Sequence, residues 1–92
     1  MIVIWDEKKR SANLTKHRLD FRDAEPVINS CLTLAVEDDR FAYGERREKL
    51  LGLLHGFLIA VLYTSDGDMI RVISMRMATR NERQLFQRTF RN

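Results

Sequence analysis

The 92-residue sequence has one cysteine, one proline and four glycines, and it has no long hydrophobic run. Cys31 lacks a second cysteine for an internal disulfide bond, and with only His17 and His55 beside it the sequence predicts no metal cluster. We interpret Cys31 as a small buried residue of a strand. The apolar runs are too short to span a membrane, and early charged residues argue against a signal peptide. We therefore expect a cytoplasmic protein without a cofactor.

The overall composition is that of an ordinary folded domain. Hydrophobic residues make up 45% of the chain and charged residues 32%. No repeat, linker or low-complexity segment interrupts the sequence, which excludes a disordered chain. A chain of this length forms one domain with a small core, so we expect a single domain over residues 1–92.

Positive charge is concentrated at the C-terminal end. Residues 69–92 contain six arginines, no lysine and one acid, Glu82, whereas acids slightly outnumber bases in residues 1–68. Arginine has a planar fork that binds phosphate through two hydrogen bonds, and lysine does not. The imbalance therefore indicates an anionic partner, with a solvated helix face as the alternative.

The N-terminal end predicts a strand followed by a surface helix. The β-rich run Ile2–Trp5 leads into Asp6, a good N-cap, and then into a mostly polar helix, Glu7–His17. Ala12 and Leu14 are its only apolar residues, so we expect them to anchor it.

A second helix and a strand come next. Asp20 caps the helix, which Pro26 should shorten or kink and which should end near Asn29. The strand should span residues 32–37, and the acidic and basic residues at 37–44 predict a charged loop.

The rest of the chain predicts three strands and a final helix. Apolar runs at 48–54 and 57–64 flank His55-Gly56, a link typical of a tight hairpin, and a third strand should cover 69–75. The order β-α-α-β-β-β-β-α predicts an α+β fold. Its sheet should be mainly antiparallel with four or five strands, and the helices should pack around it.

The final helix should begin at a capping box formed by Thr79 and Glu82. At 100° per residue its polar face carries what we call the basic stripe, opposite the apolar Leu85, Phe86 and Phe90. The members of the stripe are Arg80, Arg83, Gln84, Gln87 and Arg91. We predict that an acidic or amphipathic segment of a partner protein covers this stripe.

Six short motifs occur in a fixed order, each weak alone but specific together: Trp5-Asp6-Glu7-x-Lys9, Asn13-x-x-Lys16-His17, Leu19-Asp20-Phe21-x-Asp23-Ala24, Glu37-Asp38-x-Arg40, Tyr43-Gly44-Glu45-x-Arg47 and Arg71-x-Ile73-Ser74-x-Arg76-x-Ala78-Thr79-Arg80-x-Glu82-Arg83. With them the chain resembles the BrnT family, ribonuclease toxins of bacterial type II toxin–antitoxin systems with a RelE-like fold. The resemblance covers nearly the whole chain. Pro26 and His55-Gly56 depart from the family pattern.

The resemblance implies an endoribonuclease that inhibits translation and growth by cleaving RNA. It also implies neutralisation by a BrnA-type antitoxin, in a heterotetramer with an antitoxin dimer. Operator DNA would be bound through the antitoxin, and no membrane is involved.

A metal-free ribonuclease needs cations where charge develops on the scissile phosphate, and it needs groups that move protons. We assign the cationic role to Arg76 and Arg80, which flank the predicted helix start. Proton transfer falls to His17, Glu45 or Tyr43. The residues expected to bind the RNA backbone are Arg83, Arg40, Arg47 and Lys16.

Each assignment has a structural alternative. His17 suits the negative end of a helix, Trp5 suits a core, and Arg40 and Arg47 suit solvated ion pairs. Two other functions also stay open. One is a basic module that binds nucleic acid or protein without chemistry. The other is a metal-dependent nuclease, which is disfavoured because paired carboxylates on one element are lacking apart from Asp38-Asp39.

Overall fold

The computed structural model describes the backbone of residues 1–42 and 45–91 and the side chains of residues 1–36 and 47–91. The elements follow in the order β1 (Ile2–Trp5), α1 (Glu7–His17), a 3₁₀ turn (Phe21–Asp23), α2 (Ala24–Ile28), β2 (Thr33–Ala42), β3 (Glu45–Leu54), β4 (Phe57–Asp66), β5 (Met69–Met77) and α3 (Arg80–Thr89). None of the helices in these described ranges is long and apolar enough to cross a membrane.

The five strands form one sheet in the order β1-β5-β4-β3-β2. β1 pairs with β5 in parallel, and the other three pairings are antiparallel. The structure therefore confirms the predicted α+β class, the mainly antiparallel sheet and the three helices.

The helices lie on opposite faces of the sheet. On the face that we call the α2 face, Phe21 and Val27 pack against Ile59, Val61 and Met75, all of them almost fully buried. On the other, the α3 face, Phe86 packs against a separate cluster. Its other buried members are Leu51, Ala60 and Ala78. Because successive residues of a strand point to opposite faces, each central strand contributes to both cores.

The predicted hairpin between β3 and β4 is confirmed. His55 and Gly56 both have positive φ, 52° and 84°, which is the backbone that a two-residue hairpin turn requires. The pair Leu54 and Phe57 closes the ladder on either side of the turn.

Helix α1 has the predicted bounds and the predicted cap. The Asp6 carboxylate accepts hydrogen bonds from the backbone N–H of Lys8, at 2.8 Å, and of Lys9, at 3.3 Å. The predicted apolar anchors are wrong, because Ala12 and Leu14 are both exposed.

The residue that anchors α1 is the polar Asn13, which is 8% exposed. Its Nδ2 donates to the Leu19 carbonyl at 3.0 Å, and its Oδ1 accepts from the Met75 N–H at 3.1 Å. β1 pairs with β5 only as far as Val72, so the Met75 amide lies beyond the end of its neighbouring strand. Asn13 satisfies a buried backbone donor there, a role that hydrophobic periodicity does not reveal.

Helix α2 is short, as predicted, but Asp20 caps the preceding 3₁₀ turn and not α2 itself. The helix begins at Ala24, so Pro26 falls within its first turn. Backbone N–H groups in the first turn have no acceptor within the helix, so a proline there removes no helical hydrogen bond. The helix ends at Ile28, one residue before the predicted limit.

The charged loop predicted at 37–44 is wrong for residues 37–42. β2 continues to Ala42 through an irregular register between Glu37 and Phe41, and β3 begins at Glu45. β2 is an edge strand, and edge strands carry charged residues that resemble a loop in sequence. Tyr43 and Gly44 lie outside the described residues.

Cys31 also differs from its prediction. It is exposed, and it lies in a bend before β2 instead of within the strand. Its apolar neighbours in sequence do not bury it, because the chain is still turning away from α2 at this point.

Candidate functional site

A buried carboxylate, Glu82, lies in the first turn of α3. The predicted capping box is confirmed: the Glu82 N–H donates to Thr79 Oγ at 3.2 Å, and the Glu82 carboxylate accepts from the Thr79 N–H at 2.8 Å. Glu82 is 8% exposed, which is unusual for an acid. A carboxylate in this position also favours the positive end of the helix dipole.

Two cations from the sheet converge on Glu82, and we call the three residues the Glu82 cluster. Arg76 on β5 forms a fork with Nη1 at 2.7 Å from Oε1 and Nη2 at 3.1 Å from Oε2. Lys49 on β3 places Nζ 2.8 Å from Oε2. Because two cations share one carboxylate, the cluster keeps a net positive charge.

The cluster also fixes the ionisation of Glu82. Burial by itself would raise the pKa of the carboxyl, but hydrogen bonds from Arg76, Lys49 and the Thr79 backbone together hold that pKa well below its ordinary value. Glu82 is therefore a permanent anion at physiological pH. It orients cations and is not a proton donor or acceptor.

Arg80 and Arg83, the first members of the basic stripe, lie on the exposed side of the same helical turn. Arg83 Nη1 donates to the Ala78 carbonyl at 2.9 Å, which holds the guanidinium near the start of α3. Arg80 makes no ion pair or hydrogen bond with any of the described side chains. The helix start thus combines an anchored cation pair with two solvent-facing arginines.

Arg47 lies on the same side of the sheet. It comes two residues before Lys49 on β3, so both side chains point to the α3 face. Its Nε is buried without a hydrogen-bond partner. This buried donor does not match the alternative in which Arg47 is an ordinary solvated pair.

The other predicted site residues are less closely connected. His17 is half-buried one turn after Asn13 on α1, and Asn13 is bonded to Met75, the neighbour of Arg76. No hydrogen bond between described side chains joins His17 to the Glu82 cluster, and Lys16 is exposed. The side chains of Arg40, Tyr43 and Glu45 lie outside the described part of the chain.

Sequence reasoning missed Lys49 and the role of Glu82 as a ligand of Arg76. The available signal was a cation, Lys49, directly before the run of leucines in a central strand. Trp5 packs against the α2-face core, as the alternative assignment predicted, and its Nε1 donates to Glu7 at 3.0 Å. The described residues contain no group of three or more histidines, cysteines or acids that could hold a metal ion.

Comparison with known families identifies one model that matches residues 5–82. Its description is the ribonuclease toxin BrnT of a type II toxin–antitoxin system. Comparison with curated proteins gives no match. The matched segment contains strands β2 to β5 and the whole Glu82 cluster, and it ends at Glu82, so Arg83 lies just outside it. The chain therefore belongs to the BrnT family of ribonuclease toxins of type II toxin–antitoxin systems.

Proposed function

We propose that this toxin is a metal-independent endoribonuclease whose phosphate site is the start of α3. The observation that carries the proposal is the net positive Glu82 cluster beneath Arg80 and Arg83, which are exposed. Arg76 and Arg80 act together on the scissile phosphate. Arg83 binds the RNA backbone, as do Arg40, Arg47 and Lys16.

The reaction is attack of a ribose 2′-hydroxyl on the adjacent phosphate, with loss of the 5′-oxygen of the next nucleotide. Negative charge grows on the phosphate oxygens, so cations fixed in advance lower the barrier. The fork to Glu82 fixes Arg76 in this way, because its orientation does not depend on substrate. Arg80 has no described partner to release and is the cation that contacts the phosphate directly.

Proton transfer is assigned to His17, Glu45 or Tyr43. A ring nitrogen of a neutral imidazole accepts a proton, so His17 would take the proton of the 2′-hydroxyl. Variants His17→Ala, Glu45→Gln and Tyr43→Phe separate the three candidates. The variant that removes the acid limb of the pH–rate profile identifies the base.

The family implies an antitoxin partner and an RNA substrate. We propose more specifically a BrnA-type antitoxin, a heterotetramer with an antitoxin dimer, contact with operator DNA through the antitoxin, a cytoplasmic location and a RelE-like fold. The sheet with helices on both faces is compatible with that fold.

The direct test is incubation of the purified toxin with RNA in EDTA. Cleavage that persists at an undiminished rate supports a metal-independent enzyme. Intact RNA with salt-sensitive binding would show a binding module instead. Cleavage that EDTA abolishes and magnesium restores would show a metal-dependent nuclease.

Single alanine variants then test the assigned arginines. Arg76→Ala and Arg80→Ala should each lower the cleavage rate by about a hundredfold, with little loss of RNA affinity. Arg83→Ala should weaken RNA binding and reduce its salt dependence by about one ion. Full activity in both Arg76→Ala and Arg80→Ala would move the site to Arg40, Tyr43, Glu45 and Arg47.

A further inference from the structure

An apolar groove lies between α3 and the β3–β4 hairpin. Its volume is about 360 Å³. The apolar residues that line it are Leu53, Phe57, Leu58, Met77 and Phe86. A second groove of about 580 Å³ is lined by residues of α3 and the two residues after it, and it shares Phe86 and Gln87 with the first.

Three large apolar side chains along these grooves are exposed. Phe57 is 60% exposed, Met77 is 48% exposed and Phe90 is 37% exposed. The centroids of the Phe90 and Phe86 rings lie 4.7 Å apart, so the exposed ring of Phe90 is in contact with the buried ring of Phe86. Clustered apolar exposure of this kind marks an interaction surface on a small domain.

The borders of the grooves are cationic. Arg83 lines the first groove, and Arg88 and Arg91 line the second. No acid is among the described residues that line either groove. An apolar trough with basic borders is complementary to an amphipathic helix whose polar edges are acidic. RNA fits less well, because the first groove also carries the aliphatic Leu53, Leu58 and Met77, which offer bases no ring to stack on.

We propose that the two grooves together bind an acidic amphipathic segment of the antitoxin. The inference rests on the proposed function, since it takes RNA to be the ligand that the antitoxin excludes. Arg83 both lines the first groove and is assigned to the RNA backbone. A segment in the groove therefore takes Arg83 from RNA and neutralises the toxin by competition, without contact to Arg80.

The test uses the cognate antitoxin, purified after coexpression with the toxin, and measures its affinity by titration. Phe57→Ser and Phe90→Ser should each weaken antitoxin binding by roughly tenfold or more, as loss of an aromatic anchor does. Leu14→Ser is the matched control, because Leu14 is 41% exposed on α1 and lies outside both grooves. Arg88→Ala should reduce the salt dependence of binding. Circular dichroism verifies that each variant folds.

Wild-type antitoxin affinity in both Phe57→Ser and Phe90→Ser would overturn the docking site. An equal loss of RNA affinity in these variants would also overturn it, because RNA would then be the occupant of the grooves. A toxin dimer that Phe57→Ser dissociates would overturn it as well, because a second toxin chain would then be the occupant. RNA cleavage without antitoxin is measured on the same samples. If Phe57→Ser and Phe90→Ser both cleave RNA normally and both bind the antitoxin normally, only the docking site fails. If the wild type cleaves no RNA, the proposed function fails on its own.

Discussion

The two faces of the sheet differ in what holds their helices in place. On the α2 face, contact between almost fully buried side chains such as Phe21, Val27 and Met75 holds the 3₁₀ turn and α2. On the α3 face, the start of α3 is held by ion pairs around Glu82, and the other end by Phe86. Apolar contacts do not depend on the charge of either partner, and they tolerate only substitutions by side chains of similar volume. Ion pairs, in contrast, hold cations near the protein surface. One face therefore serves mainly stability, and the other carries the cations that we propose to bind RNA.

The largest expected effect comes from emptying the α2-face core. Phe21→Ala removes a side chain that is 0% exposed, and it should lower the free energy of unfolding by about 3 to 5 kcal/mol. Urea unfolding measures this loss. Phe57→Ala, at a site that is 60% exposed, is the control and should cost much less. Equal losses in the two variants would contradict the assignment of the main core to the α2 face.

Glu82→Gln should produce the next largest effect, because it leaves Arg76 and Lys49 without their shared anion. We expect a loss of about 2 to 4 kcal/mol at neutral pH. Folding lowers the pKa of Glu82 below its ordinary value of 4.5. Its ionised carboxylate therefore contributes to the free energy of unfolding above pH 4.5, and this contribution disappears as the pH falls through the lower pKa of the folded state. Urea unfolding between pH 2 and 7 should show the wild type and Glu82→Gln converging in acid. A constant difference across that range would contradict this linkage.

Gly52→Ala tests how closely α2 approaches the sheet. A Cβ at residue 52 would lie 2.5 Å from the Val27 carbonyl oxygen, which is backbone and cannot rotate away. The strain should cost about 1 to 3 kcal/mol, and α3 should be unaffected. Thermal unfolding measures the loss. A neutral substitution would show that α2 packs less tightly than the structure indicates.

Asn13→Ala should cost about 1 to 2 kcal/mol, because the Met75 N–H and the Leu19 carbonyl would both lose a buried partner. Leu14→Ala is the control on the same helix, and its exposed side chain should make little difference. The two variants are compared by urea unfolding. A larger loss in Leu14→Ala would restore the apolar anchor that the sequence predicted.

The smallest effect concerns Tyr63, a buried residue of the α2 face. Burial, followed by its hydrogen bond to Glu48, raises the pKa of Tyr63 from 10.0 to about 12. The folded state thus favours the neutral phenol. This preference contributes to the free energy of unfolding below pH 10, and the contribution is lost as the pH rises towards 12. Tyr63→Phe should change stability by about 1 kcal/mol or less at neutral pH and remove this alkaline loss. An unchanged alkaline limb would show that the phenol titrates normally.

Local patterns predicted the features that depend on neighbours in sequence. The Asp6 cap, the capping box at Thr79 and the His55-Gly56 hairpin each follow from a few adjacent residues. These motifs also placed the basic stripe on the exposed side of α3.

Features that depend on distant residues were not predicted. Asn13 anchors α1 through Met75, which is 62 positions away, and Lys49 meets Glu82 only after three strands have paired. No periodicity in sequence encodes such a contact. The edge position of β2 likewise appears only in the assembled sheet, so its charged residues were predicted to form a loop.

The central claim is that the start of α3 acts on RNA and that the 3₁₀ turn of the α2 face does not. The most direct measurement is the single-turnover rate of RNA cleavage in EDTA for Arg80→Ala and for Arg22→Ala, an exposed arginine on the 3₁₀ turn of the α2 face. Both variants must first show wild-type unfolding free energies. We predict a loss of about a hundredfold for Arg80→Ala and a rate within about twofold of wild type for Arg22→Ala. Equal rates in the two variants would contradict the claim.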